Sequence, residues 1–177
     1  MRELSRLVRA TFLDFHELSS ENKLLLEIAG KARLNAQAPY SRYLVGAAVR
    51  SEKQTIHIGC NVERCSWTQT THAEQAGVDA MIAALGPTKI RAVAIVGEPA
   101  DRIVAFPPER TGVPITDIEK VPVSCGHCLQ IIWENCFNDP GVELISLCGN
   151  GEIAITTIGD VFPMRFGPND LGIQYGK

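Results

Sequence analysis

The stretch from Thr71 to Leu85 constrains the fold most. Ala73, Ala76, Gly77, Ala80 and Ala84 recur there at helical spacing, and a helix bearing such small side chains packs with its backbone close to a neighbour. A central helix is expected. Around it lie runs that read as strands. "YLVGAAVR" and "TIHIGCNV" are β-like and joined by the polar Ser51-Glu52-Lys53-Gln54, the pattern of a hairpin. "RAVAIVGE" is a short apolar run between turn signals, as a buried strand would be. "VELISLCG" and "EIAITTIGD" flank a Gly149-Asn150-Gly151 turn as a final hairpin.

Three further segments have helical spacing. Residues 2–18 place Leu4, Leu7, Val8, Thr11, Phe12 and Phe15 three and four apart, which predicts an amphipathic arm. Ser19-Ser20-Glu21-Asn22 offers N-cap chemistry for a second helix to about residue 36, with Leu24, Leu25, Ile28 and Ala32 on one face and Pro39 beyond its end. Cys125, Cys128, Leu129, Ile132, Trp133 and Cys136 form the last stripe. Between "RAVAIVGE" and that stripe, residues 98–122 are rich in proline and charge and read as a long loop. Five strands with helices interleaved imply an α/β fold, a mixed sheet covered on both faces. The expected organisation is one domain over 1–177, with a helical extension at about 1–20 and a loop insertion at about 98–122.

At 177 residues, 45% hydrophobic and 21% charged, the chain has the balance of one domain with a proper core. A net charge of -3 and the lack of any basic run argue against a nucleic-acid partner. No apolar run approaches the roughly 18 residues of a membrane span. Arg2, Arg6 and Arg9 interrupt the region where a signal peptide would be apolar. An organelle transit peptide is opposed by Glu3, Asp14 and Glu17, so a soluble cytoplasmic protein is expected. Without a signal peptide, the six cysteines suit metal ligation, redox chemistry or burial better than three disulfides. Cys60, Cys136 and Cys148 fall on faces that read as core.

The remaining motifs carry the chemistry. A catalytic zinc site takes three nitrogen and thiolate ligands and keeps a fourth position for water. His72, Cys125 and Cys128 supply such a set, at the starts of two predicted helices where free N–H groups favour thiolate. Glu74, two residues past His72, cannot easily ligate the same ion but can reach its water. Zinc lowers the pKa of a bound water from 15.7 towards about 7. In hydrolytic deamination Glu74 would take the water proton, pass it to a ring nitrogen and help the amino group leave as ammonia. H-x-E with P-C-x-x-C is the zinc-deaminase signature, and Ser124 stands here where the pattern has proline. His127 is an alternative ligand to His72, but adjacent positions on a helix do not share a face, so it should point away from Cys128. CGHC alone also looks like the redox motif of the protein disulfide isomerases, although Ser124 replaces the tryptophan that precedes that motif.

With these residues in hand, the sequence resembles the cytidine deaminase family. "APYSRYLVGAAV" is similar to its APYS-F-VGAA segment, with Tyr43 at the place of the phenylalanine. "GCNVERCSWTQTTHAEQA" is similar to GCNVENASYGLTICAERTA, and "FPMRFGPNDLG" to the family's C-terminal ending. The resemblance covers roughly residues 22–172 in separated blocks of matching order. It implies a three-layer α/β/α sandwich around a five-stranded mixed sheet, one Zn²⁺ per chain, and hydrolytic deamination of cytidine or deoxycytidine in pyrimidine salvage. It also implies a homo-oligomer, tetramer ahead of dimer. By the same resemblance Asn61 and Glu63 bind ribose hydroxyls, Tyr43 lines the base and sugar pocket, Ala73 joins the substrate-binding set, and Phe166 reaches a neighbouring subunit's site.

Two departures go together. Tetrameric members carry cysteine at the place of His72 and arginine at the place of Leu129. Three thiolates on Zn²⁺ leave one negative charge that an arginine offsets, whereas a neutral histidine with two thiolates leaves none. The third departure is length: 52 residues separate His72 from Cys125, more than the family pattern needs. The excess at 98–122 would either cap the pocket or decorate a subunit interface. Competing readings are deamination of a modified cytosine nucleoside such as blasticidin S, a thiol-disulfide protein, and a non-catalytic zinc domain. Polynucleotide editing would need a cationic groove that the charge balance opposes.

Overall fold

In the computed structural model, residues 2–173 are described. One sheet of six strands among them organises the chain: β1 (Thr11–Leu13), β2 (Tyr43–Ser51), β3 (Ile56–Cys60), β4 (Ile90–Pro99), β5 (Glu143–Leu147) and β6 (Ile153–Thr157), in the order β1-β6-β5-β4-β2-β3. β4 and β5 run parallel, and the other neighbours are antiparallel. The helices are α1 (Ser20–Ala32), α2 (Ala73–Leu85), α3 (Gly126–Asn135) and the short α4 (Ile158–Val161).

Both sheet faces are apolar because alternate residues of the strands point to opposite layers. Ala48, Ala92, Ala94, Val96, Ile145 and Ile153 bury themselves with Leu25, Leu26 and Ala29 of α1. Val49, Val93 and Leu144 face the other way, against Val78 and Met81 of α2 and Ile132 and Trp133 of α3. The result is the expected three-layer sandwich. Two strand glycines set how closely the helices lie. A Cβ on Gly46 would come 2.1 Å from the Ala29 carbonyl oxygen of α1, and one on Gly59 would come 2.1 Å from that of Ala73 in α2. The small-residue stripe of α2 thus rests directly on β3.

Two expectations are corrected. The sheet has six strands, not five, and the arm expected to be helical is not: residues 2–10 have neither helix nor strand, and Thr11–Leu13 form β1. Of the extension placed at about 1–20, Met1 lies outside the described residues. The physical reason is the edge of β6, whose open backbone groups pair with Thr11, Phe12 and Leu13. A strand splits the apolar side chains between two faces, with Leu13 packing on the α1-side core and Phe12 on a separate cluster with Val121, Cys148 and Ala154. α1 begins where its cap predicts, since the Ser19 hydroxyl accepts the Asn22 N–H at 3.2 Å. It stops at Ala32, and a 3₁₀ turn over Arg33–Asn35 replaces the last expected turn.

Candidate active site

The ends of α2 and α3 meet on one side of the sheet. β3 leads into a bridge in which Val62 N–H donates to the Thr71 carbonyl (2.9 Å) and Thr71 N–H to that of Val62 (3.0 Å), fixing the start of α2. His72 is the N-cap of α2 and Cys125 the N-cap of α3, both with extended backbone; Cys128 lies in the first turn of α3. His72 Nδ1 is 3.3 Å from Cys125 Sγ and 3.4 Å from Cys128 Sγ. The donor atoms of the three residues lie within 4.8 Å of one another, the one group of this kind among the described residues.

These spacings suit a tetrahedral zinc, for which bond lengths of about 2.0 Å to nitrogen and about 2.3 Å to sulfur set ligand atoms roughly 3.6 Å apart. The surroundings of Cys128 test the fit independently. Its thiol is fully buried, and burial, then Glu74, then Cys125 push its pKa far above the ordinary thiol value. Such a sulfur becomes a thiolate only with a cation beside it, which is what a divalent metal supplies. Cys125 is exposed and His72 half-buried, so the donors open towards one side.

On that side lie two adjoining cavities that share Val45, His72 and Glu74. One, of about 200 Å³, is lined also by Asn61, Glu63, Thr70 and Ala73. The other, of about 220 Å³, is bounded by Tyr43, Ile95, Pro122, Val123, Cys125 and Leu147 among others. Glu74 is buried in the first turn of α2 and touches both cavities. Larger surface depressions lie elsewhere, at Trp133 and Phe166 (about 570 Å³) and at Ser41 and Asp101 (about 600 Å³), away from the donor atoms.

The polar residues of the first cavity are held firmly. Asn61 Oδ1 accepts the Val45 N–H at 2.8 Å and its Nδ2 donates to the Tyr43 carbonyl at 2.9 Å. Glu63 accepts from the Ser41 hydroxyl and from the N–H groups of Ser41 (3.2 Å) and Tyr40 (3.0 Å). Those bonds, the Ser41 hydroxyl first, hold its carboxyl below the ordinary glutamate range. Tyr43 donates its hydroxyl to the Gly97 carbonyl at 2.9 Å. His127 turns away from Cys128, as expected: it is exposed, its Nε2 faces Gln75 Oε1 at 3.3 Å, and its ring meets His72 edge-on.

Residues 19–139 match the family model described as the cytidine and deoxycytidylate deaminase zinc-binding region. The chain belongs to this deaminase family. Among its relatives, a cytidine deaminase from Sporosarcina psychrophila is 31% identical over 160 residues, covering 90% of this chain and 96% of that one. The 1.6 Å crystal structure of cytidine deaminase from Burkholderia pseudomallei is 29% identical with a TM-score of 0.61, covering 81% of this chain and 97% of that one. The crystal structure of cytidine deaminase from Mycobacterium tuberculosis is 28% identical with a TM-score of 0.58, covering 81% and 95%. The family's Zn²⁺ fits the donor set found here, since His72, Cys125 and Cys128 are the group of donor atoms among the described residues that could hold it.

Of the residues singled out in the sequence, His72, Cys125 and Cys128 come together with Glu74, and Tyr43, Asn61, Glu63 and Ala73 line the two adjoining cavities. Phe166 is not brought there. It is 58% exposed on the C-terminal segment, where its carbonyl accepts from Gln130. Sequence reasoning did not single out Thr70, Ile95, Leu147, Pro122 and Val123. Thr70, Pro122 and Val123 had a local signal, since Thr70 lies two residues before His72 and the other two directly precede Ser124 and Cys125; Ile95 and Leu147 had none.

Proposed function

We propose that this chain is a zinc-dependent hydrolase that converts cytidine and deoxycytidine to the uracil nucleosides with release of ammonia. The observation that carries the reading is the convergence of one imidazole nitrogen and two thiol sulfurs beside the buried carboxyl of Glu74, at the junction of two cavities. When bound, zinc activates a water molecule as the nucleophile at neutral pH. Glu74 would take a proton from the attacking water and deliver it to N3 of the cytosine ring, making C4 electrophilic, and would then carry the second proton, from the hydroxyl added at C4, to the departing amino group. Water plus the cytosine nucleoside balances as the uracil nucleoside plus ammonia. A purely structural zinc domain has no use for a buried carboxyl at this point.

Asn61 and Glu63 are assigned to the sugar, Tyr43 to the base and sugar, and Ala73 to the floor under the reacting edge. Their support is that each lines one of the two adjoining cavities, together with the family resemblance of their motifs. We also read the protein as a cytoplasmic homo-oligomer acting in pyrimidine salvage, the tetramer ahead of the dimer. No helix among the described residues is long and apolar enough to cross a membrane, and Phe166 stands exposed outside its own chain's cavity, as a residue serving a second copy would.

The test is ammonia release by zinc-loaded protein from cytidine, deoxycytidine, cytosine, blasticidin S and a single-stranded oligonucleotide. Turnover of the free nucleosides, absent in Glu74→Gln, is the expected result. Turnover of blasticidin S alone would move the assignment to a modified nucleoside, and silence on every compound by a zinc-bound protein would overturn it.

A further inference from the structure

The segment between β4 and α3 is long but fixed at three places. At its start, Arg33, 2% exposed, is ion-paired with Glu98 at 2.7 Å, donates to the Val104 carbonyl and lies over the Phe106 ring with its guanidinium carbon 5.5 Å from the centroid. Phe106 in turn fills the space left by Gly30 of α1, where a Cβ would come 2.4 Å from the ring. In its middle, the buried carboxylate of Glu152 accepts from the Arg110 guanidinium, from Ile115 N–H (2.8 Å) and from Asn150 Nδ2 (2.7 Å). Towards its end, Ile115 and Val121 pack with Phe12 of β1 on Cys148 and Ala154. The chain therefore delivers Pro122 and Val123 to the cavity of His72, Glu74 and Cys125 as a preformed wall.

Val123 is 55% exposed there, and Tyr43, lining the same cavity, is 45% exposed. The orientation of a ring between them follows from chemistry, granted the deaminase reading above. C4 and N3 must face Glu74 and the metal donors, and N1 must point to the adjoining cavity of Asn61 and Glu63. The side chains that complete the wall, Val123, Pro122, Ile95 and Leu147, offer neither donor nor acceptor. The oxygen at C2 against such a wall would be an unpaired polar group, at a cost of about 1–3 kcal/mol. The C5–C6 edge has no polar atom to lose.

We propose that Val123 is a specificity-determining residue that faces the C5–C6 edge of the cytosine ring and sets, by size, which 5-substituted cytosine nucleosides the enzyme deaminates. One methyl more or less in an apolar pocket changes discrimination by about 10–200-fold.

The experiment measures kcat/KM for cytidine and 5-methylcytidine with the zinc-loaded wild type, Val123→Ala, Val123→Phe and Val113→Ala, together with calorimetric binding of uridine and 5-methyluridine. Val123→Ala should raise the 5-methylcytidine to cytidine ratio about tenfold and Val123→Phe should lower it comparably. Val113→Ala, 80% exposed in the middle of the same segment, should leave it within twofold. Ratios within twofold of wild type in both Val123 variants, with cytidine still turned over, overturn the role of Val123 and leave the deaminase reading standing. If the wild type neither deaminates the cytosine nucleosides nor binds the uracil nucleosides, the deaminase reading falls and this proposal with it.

Discussion

Tyr43 lies so close over Gly97 that a Cβ on the glycine would come 2.9 Å from ring atom Cε1, while the tyrosine hydroxyl donates to the Gly97 carbonyl at 2.9 Å. The pairing register sets Tyr43, the first residue of β2, opposite Pro99, the last of β4, and its ring folds back along β4 to Gly97 in the cavity wall. Gly97→Ala should displace the ring without touching the metal donors. A misplaced pocket side chain costs on the order of tenfold to a hundredfold. We expect that loss in kcat/KM for cytidine with unchanged zinc content, and wild-type kinetics would show that the ring position is immaterial.

Glu74→Gln keeps the shape of the buried side chain and removes its capacity to carry a proton. Turnover should fall by about 10²–10⁴-fold, with zinc retained at one per chain by atomic absorption. A variant with full activity would rule out Glu74 as the proton carrier.

Cys128→Ser replaces the buried sulfur with a poorer donor. Because metal binding is linked to folding, the variant should purify without zinc and melt below the wild type. Chelation of the wild type should lower its melting temperature in the same direction. A zinc-replete, equally stable Cys128→Ser protein would remove Cys128 from the ligand set.

Arg33→Ala leaves Glu98 without its partner in a nearly buried site, with side-chain exposures of 2% and 12%. Breaking such a pair costs about 3–5 kcal/mol, and Arg33 also loses its packing on Phe106. Denaturant unfolding should register a loss of that order, whereas a change under about 1 kcal/mol would place the anchorage of the segment elsewhere.

Glu63 and Glu152 both have carboxyls held below the ordinary value of 4.5, Glu63 chiefly by the Ser41 hydroxyl and Glu152 chiefly by Ile115 N–H. A carboxyl depressed in the folded state binds fewer protons there than in the unfolded chain. Its contribution is therefore complete above the unfolded pKa and lost as pH falls below 4.5 towards the folded value. Melting temperature should drop through that range in the wild type, and the acid limb should be shallower in Glu152→Gln than in the wild type. Parallel limbs would mean that Glu152 does not titrate in this window.

Local pattern and chemistry made α2, both hairpins and the grouping of His72, Cys125 and Cys128 legible before any coordinates. The small-residue stripe of α2 has one structural use, close approach to β3, and His72, Glu74, Cys125 and Cys128 need only their own spacing to suggest one site. The N-terminal arm misled because Leu4, Leu7, Val8, Thr11, Phe12 and Phe15 fit a helical period, and the deciding factor, the open edge of β6, lies some 140 residues on. Sheet order was equally hidden, as were Ile95 and Leu147 in the cavity wall. Their neighbours in sequence carry no chemistry, and only the pairing of β4 with β5 sets them beside Tyr43 and Val123.

Gly112 sits at the tip of the segment between β4 and α3, with a positive φ of 82° and open space where a side chain would project. Thr111 N–H donates to the Asn150 carbonyl on one side of it, and Asn150 Nδ2 donates to the Val113 carbonyl on the other. The tip is thus clipped at its base, upstream of the contacts of Ile115 and Val121 that hold the pocket wall. Additional residues grafted at Gly112, from a short epitope to a folded module, would project outward from a closed stem and leave the substrate cavity as it is.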